Sequence, residues 1–320
     1  MKTALIGVGV IGNVHLGILL DQGITPVAIC DIDESKTAKY PQIKAYTDYK
    51  EMLDKEQPDI VHVCTPHYLH AEMAIYALER NINVLCEKPL CMSEEEIEAV
   101  LKAEEKSSAQ LAVCFQNRYT PKNLFVKEYL ADKKAVKGYA SLAWKRGQEY
   151  YNSAAWRGTK RYEGGGVLIN QAIHTLDLLN EYMGGFDELA ASCSNLSLQG
   201  VIEVEDTANI CLYGEGKRAT FIATNTSAFD QPIQISLILD NGDVLEMVGD
   251  VLKINGEKKS FKTKNYYGKA CYGIGHAPLI LDFYDCVKTG RRFSIDGKEG
   301  AKALRLVFAA YESNGQRIKI

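Results

Sequence analysis

The rhythm of apolar and polar positions changes once along the chain, near residue 118. Before that point, short apolar runs at 2–6, 26–31, 43–45, 59–63, 83–86 and 111–114 read as strands. Between most of them, apolar residues recur at helical spacing over 11–21, 34–39, 49–53, 69–79 and 94–106. Ser93-Glu94-Glu95-Glu96 opens the last of these as a capping box, Ser with Glu three residues on. Strands alternating with helices predict a parallel sheet covered on both faces. After 118 the spacing predicts helices at 121–130, 167–183 and 300–313, and strands at 137–145, 189–198, 207–213, 219–226, 233–239 and 244–248. Most of these strands follow one another directly, and Asp240-Asn241-Gly242 between the last two signals a tight hairpin. The expected fold is α/β: a doubly wound parallel domain over 1–118, then an α+β domain over 119–320 with a largely antiparallel open sheet.

Composition narrows the function classes. Of 320 residues, 46% are hydrophobic and 24% charged, which is ordinary for a globular protein. No run of about 18 apolar residues occurs, so no membrane association is expected. Residues 1–118 carry 11 Lys and Arg against 18 Asp and Glu, net −7; the remainder carries 26 against 23, net +3. Neither part is basic enough to suggest a nucleic-acid partner. The nine cysteines are odd in number, show no Cys-x-x-Cys pair, and several sit in apolar runs. Reduced thiols, a cytoplasmic location and no metal are expected. Met1-Lys2 and the apolar residues after it imitate the start of a signal peptide, but three glycines by position 12 suit a turn instead.

That turn carries chemistry. Gly7-Val8-Gly9-Val10-Ile11-Gly12 is a G-x-G-x-x-G sequence between a predicted strand and a predicted helix, and Asp31 ends the next strand 19 residues on. Gly7 permits a tight turn, Gly9 lets backbone approach a pyrophosphate, and Gly12 lets helix lie on sheet. Val10 and Ile11 place N–H groups at the helix start, where an anion is stabilised. Asp31 suits the hydroxyls of an adenosine ribose and would repel a 2′-phosphate, so NAD is expected over NADP, although Lys36 lies near enough in sequence to partner such a phosphate.

Further along stand Thr65-Pro66-His67-Tyr68-Leu69-His70, then Glu87-Lys88-Pro89, then Gly164-Gly165-Gly166 followed by Asn170, His174 and Asp177. Their order and spacing resemble the glucose–fructose oxidoreductase, inositol dehydrogenase and MocA family over essentially the whole chain. The resemblance implies an N-terminal Rossmann domain, a C-terminal open sheet, and nicotinamide-dependent chemistry on a secondary alcohol of a sugar, sugar derivative or cyclitol. It implies that Glu87 and Lys88 form the Glu-Lys-Pro pair, with Lys88 meeting the nicotinamide ribose and the reacting hydroxyl, and that His174 is the catalytic histidine. Thr65, His67, His70 and Glu87 become cofactor candidates on the same footing. Two positions depart from the pattern: Asn170 stands where many members carry Asp, and His67 where many carry Asn. Asn170 can orient a hydroxyl but cannot accept its proton.

The residues support this independently. Alcohol oxidation needs a proton acceptor with a pKa near the working pH; His174 suits unperturbed, and Lys88 suits if a neighbouring positive charge lowers its pKa. Asn170, His174 and Asp177 are spaced to share one helix face, with Asp177 placed to orient the imidazole. Tyr119, Arg157 and His276 are further substrate candidates, with Arg118 and Trp156 behind them. His62 is expected to be structural and His15 to pack its helix. Tyr-x-x-x-Lys occurs five times, which is background, and neither a zinc-protease nor a serine-hydrolase motif is present. The expected activity is hydride transfer between NAD and a carbohydrate or polyol by a homodimer or homotetramer. Two other functions fit the same residues: a glycoside hydrolase or lyase that uses NAD transiently, and a non-catalytic NAD-responsive binding protein.

Overall fold

The structure is a computed structural model that describes residues 1–261 and 274–320. The chain divides into two compact units, Met1–Tyr119 with Lys264–Ala301 and Thr120–Thr263 with Lys302–Ile320. The first crossing falls beside the boundary read in the sequence. The sequence reading has no second crossing, by which the chain returns to its first unit. Side chains hold that return in place. Tyr284 Oη lies 2.9 Å from Thr3 Oγ1, Gln110 Oε1 accepts the Phe293 N–H at 2.8 Å, and Leu279, Ile280 and Phe283 are fully buried.

In the first unit, β1 (Thr3–Ile6), β2 (Ala28–Cys30), β3 (Lys44–Tyr46), β4 (Ile60–Val63), β5 (Asn83–Cys86) and β6 (Leu111–Val113) form one parallel sheet in the order β3-β2-β1-β4-β5-β6. β1 and β4 are buried along their whole length, as a sheet covered on both faces requires. The order reverses between β1 and β4, and a crevice for ligands opens at the carboxyl ends of strands around such a switch point. Five helices connect the strands: α1 (Val10–Asp21), α2 (Glu34–Thr37), α3 (Tyr49–Glu56), α4 (His70–Leu78) and α5 (Glu94–Lys106). Ser93 caps α5, accepting the Glu96 N–H, while Glu96 reaches back to the Met92 N–H.

The second unit begins with α6 (Pro121–Tyr129), capped by Thr120, and β7 (Ala135–Ala143). Two short helices the sequence did not reveal follow, α7 (Gln148–Tyr151) and α8 (Lys160–Glu163). The predicted helix over 167–183 is in fact a π-turn, Leu168–Ala172, continued by α9 (Ile173–Met183). The sheet then adds β8 (Glu188–Ser194), β9 (Thr207–Gly214), β10 (Lys217–Thr224), β11 (Gln234–Leu239), β12 (Val244–Val248), β13 (Val251–Ile254) and β14 (Glu257–Lys259). The returning segment carries α10 (His276–Thr289), and α11 (Gly297–Ser313) and β15 (Ile318–Lys319) end the chain. The sheet order is β14-β13-β12-β11-β7-β10-β9-β8-β15, antiparallel throughout except for the β7–β10 pair. The hairpin at Asp240-Asn241-Gly242 joins β11 to β12 with Gly242 at φ +89°.

Candidate active site

The first unit builds a loop with a space in it. Gly7 has φ +91°, and a Cβ there would fall 2.6 Å from the Cys64 carbonyl oxygen. A Cβ on Gly12 would fall 1.9 Å from the Gly7 carbonyl oxygen, so only glycine lets α1 start so close to its own loop. At Gly9 a Cβ would meet nothing within 4 Å. Gly9 is the N-cap of α1 and offers no side chain to its N–H groups. An open approach to an uncapped helix start is what a pyrophosphate needs. Val10 is exposed and Ile11 half-buried at this entrance. Asp31, at the end of β2, accepts the Val8 N–H at 2.8 Å and the Asp33 N–H at 3.0 Å, so it braces the loop from below. Lys36 reaches the same carboxylate at 3.2 Å; it is already paired with the acid that a ribose would meet. The residues present therefore fit a dinucleotide.

The end of β5 holds Glu87 and Lys88, with a cis peptide between Lys88 and Pro89. Glu87 is buried, and its Oε2 accepts the Lys88 backbone N–H at 3.2 Å. Its Oε1 lies 3.0 Å from His15 Nε2 and 3.5 Å from His276 Nε2. Because a carboxylate only accepts, His15 must donate from Nε2. The chain continues inward: His15 Nδ1 to His62 Nδ1 at 2.8 Å, His62 Nε2 to Tyr284 Oη at 2.9 Å, and Tyr284 to Thr3. Burial pushes the Glu87 pKa up, but the hydrogen bonds and charges of His15 and His276 outweigh it and hold the carboxyl well below its usual range. Burial drives the His62 imidazole well below its usual value, and His276 is lowered for the same reason despite Glu87. His15, expected only to pack its helix, bonds Glu87, and His276, expected as a substrate candidate, stands beside the same carboxylate. Cys114 Sγ joins the donor atoms of His15, Glu87 and His276 within 4.8 Å of one another. Burial raises the Cys114 thiol pKa, with the Glu87 charge adding to it.

The remaining first-unit candidates are placed as follows. His70 is buried with Nδ1 2.7 Å from the Pro89 carbonyl and Nε2 2.8 Å from the Thr65 carbonyl, stapling the loop after β5 to the loop after β4. His67 is buried in the turn before α4, its ring 6.1 Å from that of His70. Tyr119 donates to Asp282 at 2.6 Å and stacks on Phe293, which makes it an anchor for α10. Arg118 pairs with Glu299 at 2.9 Å.

The second unit positions Asn170, His174 and Asp177. Its glycine triplet is packed solid. Gly164 ends α8 at φ +84°, a Cβ on Gly165 would fall 2.1 Å from Tyr311 Oη, and a Cβ on Gly166 would fall 1.8 Å from the Glu205 carbonyl oxygen. Glu205 then accepts the N–H groups of Gly166 at 2.8 Å and Leu168 at 3.0 Å, and the Tyr311 hydroxyl at 3.0 Å. Burial pushes its carboxyl up to about 7, only partly offset by those donors. The π-turn interrupts the regular spacing read in the sequence, since the Ala172 N–H bonds back five residues to Val167. Asn170 and His174 are half-buried and Asp177 is buried. Arg157 donates to the Tyr150 hydroxyl and lies over the Tyr150 and Trp156 rings at 4.4 and 4.6 Å. It borders a cavity of about 340 Å³ with Tyr151, Asn152 and Val201. Sequence reasoning missed Glu163, Tyr150 and Glu205, whose partners depend on how the loops fold back.

Eight cysteines are described and all are free thiols; Cys271, and Gly273 of the Gly273–His276 motif, lie outside the described residues. Among the described residues, no helix is long and apolar enough to cross a membrane.

Comparison with known proteins agrees in both halves. Residues 1–115 match the model of the oxidoreductase family with NAD-binding Rossmann fold, and residues 134–260 match the GFO/IDH/MocA C-terminal domain. An uncharacterized oxidoreductase, YrbE of Bacillus subtilis, is 25% identical over 97% of this chain and 93% of its own. Inositol 2-dehydrogenase of Salmonella typhimurium is 32% identical over 37% of this chain and 38% of its own. The WlbA dehydrogenase of Bordetella pertussis, solved with NADH and UDP-GlcNAcA, superposes with a TM-score of 0.86 at 25% identity, covering 100% of this chain and 98% of that one.

Proposed function

Because the chain belongs to the Gfo/Idh/MocA oxidoreductase family and takes NAD as its cofactor, we propose that it transfers hydride between NAD and a secondary hydroxyl or keto group of a sugar, sugar derivative or cyclitol. The observation that carries this reading is the loop at Gly7–Gly12, where the Gly9 backbone is open to a ligand while its neighbours are closed by protein atoms. Bound NAD supplies the hydride acceptor. Gly9, Val10 and Ile11 hold the pyrophosphate with backbone N–H groups, and Asp31 takes the ribose hydroxyls. Lys88 binds the reacting hydroxyl, its backbone fixed by Glu87. His174 shares the proton, Asp177 orients its imidazole, and Asn170 hydrogen-bonds the substrate. The aromatic and guanidinium surfaces at Tyr150, Trp156 and Arg157 support a hydroxyl-rich ring as partner.

The test is a panel of cyclitols, aldoses, amino sugars, acidic sugars and glycosides offered with NAD. Accumulating NADH on at least one polyhydroxylated ring supports the reading. A cleaved glycoside without net NADH would move it to transient oxidation, and tight NAD binding without turnover on any compound would overturn it.

The open sheet leaves Tyr139, Ile238, Val244 and Val248 exposed. Covering them through self-association gives a homodimer or homotetramer, and a monomer in sedimentation at micromolar concentration would count against this. The buried free thiols suit the reducing conditions of a cytoplasm.

A further inference from the structure

A buried carboxylate stands behind Asn170. Glu163 ends α8 and is fully buried. One carboxyl oxygen accepts the Gly158 backbone N–H and the other accepts from Nδ2 of Asn170, so both oxygens of the group are engaged. The same Nδ2 lies 3.3 Å from the Tyr150 hydroxyl oxygen, which also receives Arg157 and, at 3.0 Å, Gln171 Nε2. Gln171 is held in turn through Asn225, whose Nδ2 reaches Gln171 Oε1 at 2.9 Å and Tyr151 Oη at 3.0 Å.

Two surroundings of Nδ2 therefore offer lone pairs. A side-chain amide has a donor end and an acceptor end of almost equal size, and only its partners decide which faces where. Here the Glu163 oxygen accepts from Nδ2, so the amide nitrogen faces Glu163. The carbonyl oxygen then points to the opposite edge of the group. We infer that Glu163 is a positioning residue: it locks the Asn170 side chain so that a substrate hydroxyl meets a hydrogen-bond acceptor there and not a donor. This rests on the proposed function, in which Asn170 and His174 meet substrate. Asn170 presents acceptor geometry without basicity, and the hydroxyl proton must leave through Lys88 or His174.

Three variants test this. Glu163→Gln removes the charge and offers an NH2 of its own, so the Asn170 amide is free to flip. It is expected to lower kcat/KM about 10- to 100-fold, the worth of one charge-assisted hydrogen bond, with NAD affinity unchanged. Asn170→Asp alone sets two carboxylates side by side, so one must hold a proton; its activity should fall as pH rises and that proton is lost. Glu163→Gln/Asn170→Asp restores one carboxylate and one amide in exchanged places and should recover kcat/KM to within about threefold. Recovery with the wild-type pH profile reports orientation, since a new base at position 170 would shift that profile and a merely structural role for Glu163 would leave the double variant no better than the single. Wild-type kcat/KM in folded Glu163→Gln, or no recovery in the folded double variant, overturns the inference. Should the wild type turn over nothing on the panel, the proposed function fails, and the inference is read from asparagine-labelled NMR. The Asn170 side-chain NH2, assigned by its loss in Asn170→Asp, should be protected from hydrogen exchange in wild type and exposed in Glu163→Gln. Unchanged protection would overturn it.

Discussion

Each unit sends a glycine-rich turn into a helix, and the two turns use the absent side chain in opposite ways. Before α1, the middle glycine of the fingerprint borders empty space. Before the π-turn, Gly165 and Gly166 are pressed against Tyr311 and Glu205. The first turn leaves room, which in the proposed function a dinucleotide's phosphates take. The second fills its room with protein and so fixes the start of the segment that carries Asn170 and His174. A run of glycines therefore does not by itself mark a binding loop; what a Cβ would strike decides which kind it is.

That contrast can be broken most strongly at Gly166. Gly166→Ala forces a Cβ into the Glu205 backbone, and the expected loss is about 3–5 kcal/mol, read as the denaturation midpoint of the second unit. An unchanged midpoint would mean this turn is as open as the first.

Glu205 gives the next largest effect, and its sign follows from its shifted pKa. The carboxyl binds its proton more tightly folded, near pH 7, than unfolded, near 4.5. The stability it contributes is fully present below about pH 4.5, declines as pH rises toward 7, and stays lost above that, about 3 kcal/mol in all. Glu205→Gln should flatten stability against pH in that window. A slope that survives the substitution would assign it to another group.

Gly9→Ala should behave unlike Gly166→Ala. Its Cβ meets no protein atom, so the stability cost is an N-cap cost of about 1 kcal/mol or less. NAD affinity should nonetheless fall about tenfold, as the side chain enters the pyrophosphate's approach. Calorimetric titration reads it, and unaltered affinity would remove Gly9 from the cradle. The smallest effect is expected at Asp31: Asp31→Asn should weaken NAD about threefold to tenfold and improve NADP relative to it, with Lys36 released from its pair. A preference for NAD as strong as in wild type would show that Asp31 does not discriminate.

What was legible in the sequence was local. The G-x-G-x-x-G turn, Asp31, the alternation of strands and helices and the Asp240–Gly242 hairpin each lie within a few residues of what they determine. The hydrogen-bond chain from Glu87 through His15 and His62 to Tyr284 joins residues 72, 47 and 222 positions apart, and no periodicity encodes such a meeting. The place of His276 was hidden for the same reason: its segment returns to the first unit after the whole second sheet. The π-turn was hidden because a helix with one widened turn has nearly the same apolar pattern as one without. Glu163 lies only seven residues from Asn170, yet the glycine triplet between them masks the turn that brings them together.

The central claim is that Lys88, held by buried Glu87 at the end of β5, handles the proton of the alcohol while NAD takes the hydride. Lys88→Ala, assayed on the best panel substrate with NAD binding measured in parallel, tests it most directly. The expected result is turnover reduced about 10²- to 10⁴-fold with NAD affinity held within a few-fold of wild type. Turnover at the wild-type rate would contradict it.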